Sequence, residues 1–245
     1  MAQTPKTRAR RRFLAGMGAL ALSGTGARVF AQPAARIDPG QPYSRPPTDL
    51  NLVLAVDCSS SIDAGRYRLQ AQGYAAAFRN ERVRRAVLSG REKRIGIAMT
   101  QWGGQRVQHV AVDWTLLDGR AALDAFAARL AGQPRLTDDD ATAVGAAIDH
   151  ARGLLQQCPF AGTRQVIDIS GDGASNQGKF PRYARDEAVA LDIGINGLPI
   201  LTLEPNLDAV YRAEVIGGPG AFVVPVRRFE DFAAAIANKL VREIA

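Results

Sequence analysis

The chain has 245 residues, of which 47% are hydrophobic and 22% are charged, which suffices for one α/β domain with a buried core. Its formal net charge is +7, but residues 1–31 contain six Lys and Arg and no acidic residue, which leaves +1 for the rest. The basic excess therefore belongs to a leader segment, and we expect no nucleic-acid-binding face on the domain.

Residues 1–31 predict an export signal. Three arginines at 10–12 precede a Phe-Leu pair and a weakly hydrophobic, Gly- and Ala-rich stretch from Gly16 to Gly26. This arrangement resembles a bacterial twin-arginine signal peptide with cleavage after residue 31, and it implies a periplasmic or secreted protein. The apolar stretch is too short for a transmembrane helix, so we expect no integral membrane protein after cleavage. The alternative is a basic leader that stays attached.

A proline-rich segment follows the leader. Residues 32–48 contain five prolines and few apolar residues, which predicts an extended linker. The domain itself is predicted to span residues 49–245.

The first predicted strand ends in a group of oxygen-bearing side chains. Residues 50–56 form an almost unbroken apolar run, which is typical of a strand buried on both faces of a parallel sheet. Asp57, Ser59 and Ser61 follow at alternate positions, so a turn can direct three oxygens at one point. Oxygen ligands suit a hard cation, Mg2+ ahead of Ca2+ or Zn2+. The alternative is that one of these side chains caps the next helix.

The remaining elements predict a doubly wound α/β fold. Strands alternate with helices, and one Gly-rich loop at 103–105 joins two strands as a hairpin. We therefore expect a mostly parallel sheet with one antiparallel strand near an edge and helices on both faces. The predicted helices are 63–88 with a break near residue 80, 118–131, 142–156, 182–191, 208–216 and 229–244, and the further strands are 94–102, 106–114, 165–170, 195–203 and 221–226.

Two later stretches add oxygen ligands at the same edge of the sheet. Thr142 begins the helix that reads Thr-Ala-Val-Gly-Ala-Ala-Ile, although a threonine at a helix start also serves as a cap. Asp172 follows the strand at 165–170, and Gly173 permits the sharp turn there. In open α/β sheets, ligands bind beyond the carboxyl ends of the strands, where both residues are predicted to lie.

These three stretches resemble the metal-ion-dependent adhesion site of von Willebrand factor type A domains, and the resemblance spans residues 49–245. It implies a cation, Mg2+ with Mn2+ or Ca2+ as alternatives, bound directly or through water. The implied ligands are Asp57, Ser59, Ser61, Thr142 and Asp172. In that family an open position on the metal receives a Glu or Asp carboxylate of a partner protein, so the resemblance implies a docking module and no enzyme. Gly171 departs from the Ser or Thr usual there.

Two neighbours of this site are candidate partner contacts. Trp102 ends a strand parallel to the first one, and an exposed tryptophan at that edge is a natural hot spot. The alternative is that it packs under the hairpin turn. Asp140 belongs to an acidic run before Thr142 and adds negative potential, or is merely part of a solvated loop.

Three buried candidates remain without a role. Cys58 and Cys158 are predicted at opposite edges of the sheet, which makes a disulfide between them geometrically unfavourable. Asp168 lies within a predicted buried strand, where an acidic side chain is unusual.

Two rival functions stay open. Gly171-Asp172-Gly173 resembles the Gly-Asp-Gly loop of haloacid-dehalogenase-like phosphatases. On that interpretation Asp57 of this chain is the nucleophile, but Ser59 stands where that family has an acid. The other rival is a structural domain of the same fold without metal binding. A serine hydrolase lacks its Gly-x-Ser-x-Gly elbow, and a dinucleotide-binding domain lacks its glycine fingerprint.

Overall fold

The structure, a computed structural model, describes residues 44–245, so the predicted signal peptide and most of the predicted linker lie outside the described residues. The strands are β1 (Pro47–Thr48), β2 (Leu50–Asp57), β3 (Ile95–Trp102), β4 (Gln108–Leu117), β5 (Ala161–Gly162), β6 (Gln165–Gly171) and β7 (Ile193–Pro199). The helices are α1 (Ala64–Arg79), α2 (Glu81–Ser89), α3 (Arg120–Ala131), α4 (Val144–Gln156), α5 (Pro181–Val189), α6 (Leu207–Val210) and α7 (Phe232–Ile244).

The central sheet has five strands in the order β4-β3-β2-β6-β7. β2, β3, β6 and β7 are parallel, and β4 pairs antiparallel with β3 at one edge. Every residue of β2 is buried, because both faces of this central strand are covered by helices. The prediction of a doubly wound, mostly parallel α/β sheet is confirmed.

Two hydrophobic clusters cover the two faces of the sheet. Successive side chains of β2 point to opposite faces, so Leu52 and Leu54 enter one cluster while Val53 and Ala55 enter the other. Helices α1, α2, α3 and α7 supply the first cluster, and α4, α5 and α6 supply the second. This layering leaves the carboxyl ends of β2, β3 and β6 at a common edge.

The helical break predicted near residue 80 is present. Asn80 separates α1 from α2, and its Oδ1 accepts a hydrogen bond from the backbone N–H of Arg82 at 2.9 Å. This cap satisfies a backbone donor that α2 would otherwise leave free. One residue thus ends one helix and begins the next.

The chain after β6 differs most from the predicted elements. β7 ends at Pro199, whose ring nitrogen has no hydrogen to donate to the ladder. The predicted helix at 208–216 is the short α6 followed by a π-helical turn at Tyr211–Val215. Residues 221–226 make only isolated bridges, from Val223 to Gly197 and from Val226 to Ile200, so the predicted last strand is wrong.

The first strand also begins two residues earlier than the predicted domain boundary. Pro47 and Thr48 form β1, which pairs in parallel with β5. Thr48 is fully buried, and its hydroxyl donates to Asn51 Oδ1 at 2.8 Å.

Of the helices within residues 44–245, none is long and apolar enough to span a membrane. Cys58 and Cys158 are buried and unpaired in this part of the chain.

Candidate metal centre

The loops after β2 and β6 meet at the carboxyl edge of the sheet and connect through hydrogen bonds. Asp57 Oδ1 accepts from the backbone N–H of Ser59 at 2.8 Å, and the Ser59 and Ser61 hydroxyls lie 3.1 Å apart. The Ser61 hydroxyl donates to Asp172 Oδ1 at 2.6 Å. The first and third sequence motifs therefore form one hydrogen-bonded cluster.

The loop before α4 joins the same cluster through Thr142 and Asn176. The backbone N–H of Thr142 donates to Asn176 Oδ1 at 2.8 Å, and the N–H of Asn176 donates to the Thr142 carbonyl at 2.9 Å. Thr142, Ser59, Ser61 and Asp172 line a cavity of about 170 Å³. Asp57 lies behind this cavity and is fully buried. The structure thus brings all five predicted ligands to one place, four of them on the cavity wall.

Both aspartates keep a carboxylate oxygen without a hydrogen-bond partner. Within residues 44–245, neither Asp57 Oδ2 nor Asp172 Oδ2 accepts a hydrogen bond, although both atoms are buried. Burial raises the pKa of Asp57 to about 7, the hydrogen bonds from Ser59 oppose this shift, and the nearby charge of Asp172 adds to it. Burial also raises the pKa of Asp172, against the Ser61 hydrogen bond and the charge of Arg66. Asp172 Oδ2 has Arg66 Nη1 at 3.5 Å, whereas Asp57 Oδ2 has no donor, and two desolvated carboxylates of this kind fit a divalent cation.

The donor set limits which metals the site suits. Among the described residues, no three His, Cys, Asp or Glu side chains converge on one point. The candidate centre therefore has two carboxylates completed by serine and threonine hydroxyls. An all-oxygen set of this kind fits Mg2+, Mn2+ or Ca2+ better than a metal that prefers nitrogen or sulfur ligands.

Two charged residues near the cavity were not among the site residues predicted from the sequence. Arg66, in the first turns of α1, donates to the Ser61 carbonyl at 2.6 Å and lies 3.5 Å from Asp172 Oδ2. Glu204, beyond β7, lines the cavity and accepts from the Ala174 N–H at 2.9 Å. No local pattern marks either residue, because each reaches the site only through the tertiary fold.

The structure separates the two candidate partner contacts. Trp102 is 0% exposed and packs in the second cluster with Val144 and Ala147 of α4. The expectation of a partner contact is corrected for this residue, because a side chain buried in this cluster offers no surface to a partner. Asp140 is exposed and lines the cavity, so it keeps the predicted position at the rim.

A comparison with protein families gives a match over most of the chain. A family model described as "Protein of unknown function (DUF1194)" matches residues 47–245. No curated protein matches the chain in sequence.

Solved structures show a von Willebrand factor type A-like fold. A proximal thread matrix protein from the mussel byssus, with a zinc-occupied adhesion-site motif, has 14% identity and a TM-score of 0.56, over 82% of this chain and 48% of its own. A von Willebrand factor type A protein from Catenulispora acidiphila has 17% identity and a TM-score of 0.52, over 79% and 42%. The pilus adhesin SpaC from Lactobacillus rhamnosus GG has 12% identity and a TM-score of 0.59, over 80% and 30%. The chain spans less than half the length of each.

Proposed function

We propose that this chain, which belongs to the family described as protein of unknown function DUF1194, is an exported, metal-dependent protein-binding module. The proposal rests on one observation above all: at a cavity in residues 44–245, two buried carboxylates, Asp57 and Asp172, bond to Ser59 and Ser61 through one oxygen, and the second oxygen of each accepts no hydrogen bond. The residues that would hold Mg2+, with Mn2+ or Ca2+ as alternatives, are Asp57, Ser59, Ser61, Thr142 and Asp172.

The positions of these residues suggest different tasks. Asp172, Ser59, Ser61 and Thr142 line the cavity and can offer oxygens directly. Asp57 is fully buried behind them, where it holds the turn through the Ser59 N–H and supplies negative charge. The bound cation would supply positive charge and an open position for an incoming oxygen ligand.

The charge of the cavity explains why partner binding would depend on the metal. Asp140, Asp172 and Glu204 all line it, and Arg66 is the cation that reaches Asp172 from α1. An incoming Glu or Asp carboxylate of a partner meets repulsion from these acids unless a divalent cation offsets their charge. The residues that line the cavity would hold the cation, which would supply the positive charge that a partner carboxylate needs there.

The type of partner is inferred from chemistry and from the structural neighbours. Those neighbours include a pilus adhesin and a thread matrix protein, which supports binding to another protein rather than catalysis. The predicted export signal supports a periplasmic or secreted location for that partner.

Metal titration tests the proposal. Isothermal titration of the metal-stripped chain with Mg2+ or Mn2+ should show saturable binding, and Asp57→Asn and Asp172→Asn should each weaken it more than about 100-fold, because each removes a charge from the centre. Asp231→Asn is the control, because this exposed carboxylate pairs only with Arg228 within the described chain. Absence of binding by the folded parent would contradict the proposal.

The same variants separate the module from the phosphatase alternative. We expect no turnover of a generic phosphate ester by the metal-loaded chain above the metal blank. Turnover that disappears in Asp57→Asn would instead favour the phosphatase reading of Asp57.

A further inference from the structure

Tyr211 presents a buried hydroxyl to the back of the candidate metal centre. It is 0% exposed and begins the π-helical turn Tyr211–Val215. Its Oη has no hydrogen-bond partner within residues 44–245. Buried hydroxyls are almost always hydrogen-bonded, so one without a partner calls for an explanation. A π-turn inside a protein is also frequently found at a functional site.

Gly171 brings this hydroxyl close to Asp57. A Cβ built on Gly171 would lie 2.9 Å from Tyr211 Oη and 2.9 Å from Asp57 Oδ2. Both oxygens therefore flank the same side of the last residue of β6. Both oxygens are among the buried side-chain atoms of residues 44–245 that have no hydrogen-bond partner. The missing side chain at Gly171 is what lets them occupy neighbouring positions.

The aromatic ring alone does not account for a tyrosine here. The ring packs in the second hydrophobic cluster and contacts the position of Gly197, where a Cβ would lie 2.6 Å from Tyr211 Cδ1. A phenylalanine would fill the same space without burying a hydroxyl. Packing of the ring therefore does not explain why this residue carries a hydroxyl.

We infer that Tyr211 is a positioning residue for the metal centre, whose hydroxyl turns to donate to Asp57 Oδ2 across the space that Gly171 leaves open. The backbone N–H of Ser59 already holds Asp57 Oδ1 at 2.8 Å. With Tyr211 on the other oxygen, both carboxylate oxygens have a donor and the group keeps one orientation. This inference rests on the proposed metal-binding function.

The inference also accounts for Gly171 in place of Ser or Thr. A hydroxyl side chain at position 171 would bring a donor from the strand itself. Here the glycine clears that space, and the π-turn supplies a hydroxyl from another element. Gly171 and Tyr211 therefore act as a pair: the glycine leaves room for the Tyr211 hydroxyl, and that hydroxyl replaces one at position 171.

The first experiment compares two buried tyrosines by Mg2+ titration. Tyr211→Phe should bind Mg2+ about tenfold more weakly than the parent, as for loss of other groups that orient metal ligands. The thermal unfolding midpoint of the metal-stripped variant should stay equal or rise, because the removed hydroxyl has no partner in residues 44–245.

Tyr74→Phe is the matched control. Tyr74 is also fully buried but packs on the opposite face of the sheet, where its hydroxyl lies 3.3 Å from Ser170 Oγ. This variant should lose some thermal stability and keep the Mg2+ affinity of the parent. Equal Mg2+ binding by Tyr211→Phe and the parent would overturn the inference and leave the proposed function intact.

A double-mutant cycle tests the pairing of Tyr211 with Gly171. Gly171→Ser should weaken Mg2+ binding, because its Cβ displaces both oxygens. Adding Tyr211→Phe removes one of those two contacts, so the double variant should bind more tightly than the product of the two single effects allows. Strictly multiplicative effects would overturn the pairing. A parent chain that binds no Mg2+ would overturn the proposed function as well.

Discussion

Asp168 shows how one buried residue acquires its partners from a distant helix. Its Oδ1 lies 2.7 Å from Lys239 Nζ of α7, and Lys239 also contacts Glu243 Oε1 at 2.6 Å. Glu243 Oε1 accepts a further hydrogen bond from Asn196 Nδ2 at 2.8 Å. Two carboxylates thus share one ammonium group. Burial, and then the charge of Glu243, raise the pKa of Asp168 to about 7 against the opposing effect of Lys239.

This shift predicts a pH dependence of stability. The ordinary pKa of 3.8 applies to the unfolded chain and about 7 to the folded one, so folding favours protonated Asp168. The free energy of unfolding should therefore fall as the pH rises through this window. The titratable groups beside Asp168 include Lys239 and Glu243 on α7 and Tyr74 on α1. Between pH 4.5 and pH 8, the free energy of unfolding should therefore fall less in Asp168→Asn than in the parent, by more than about 1 kcal/mol.

Urea unfolding in EDTA across this pH range measures the effect. Asp57 titrates in the same window, but it is present in both proteins, so the difference between them isolates Asp168. Parallel curves for the parent and Asp168→Asn would contradict the prediction.

At the scale of elements, the close approach of α4 to the loop after β6 positions Thr142. A Cβ on Gly145 would lie 2.1 Å from the Lys179 carbonyl oxygen, so only glycine permits this contact. Lys179 Nζ also pairs with Asp149 of α4 at 3.2 Å. The contact keeps the loop against the helix, near the hydrogen bonds between Thr142 and Asn176.

A pair of glycine substitutions in α4 tests this packing. Gly145→Ala should lower the free energy of unfolding by about 1–3 kcal/mol, because the backbone of the loop must move. It should also weaken Mg2+ binding through Thr142. Gly153→Ala in the same helix has nothing within 4 Å of its Cβ and should be neutral or stabilising by up to about 1 kcal/mol. Equal unfolding energies for the two variants would count against the close contact.

At the scale of the whole molecule, charge is unevenly divided along the chain. Residues 1–31 hold six of the basic residues and no acid, whereas the folded domain carries the acidic cavity. This division is the one expected if residues 1–31 are the predicted export signal.

Conservative substitution of the arginines tests the leader. Replacing residues 10–12 with lysine keeps the charge but removes the arginine pair, so in a bacterial host we expect the precursor to accumulate uncleaved in the cytoplasm. Cell fractionation and intact mass measure this outcome. Cleaved protein outside the cytoplasm in the lysine variant would show that twin-arginine export is not used.

The sequence by itself determined the strand-helix alternation, the early hairpin and the placement of the five predicted ligands at one edge of the sheet. Hydrophobic periodicity is local, and the ends of parallel strands share one edge of a sheet, so these features follow from residues close in the chain. The helical break at Asn80 was equally readable, because a cap is made by its own neighbours.

Only the tertiary structure decided which side chains meet across elements. Trp102 is buried in a cluster that residues of α4 help to form, and Asp168 is paired with Lys239 of α7. Arg66, Glu204 and Tyr211 reach the cavity region from α1, from beyond β7 and from a π-turn. These contacts depend on how helices pack on the sheet, and that packing is a property of the whole hydrophobic core rather than of any short stretch of sequence.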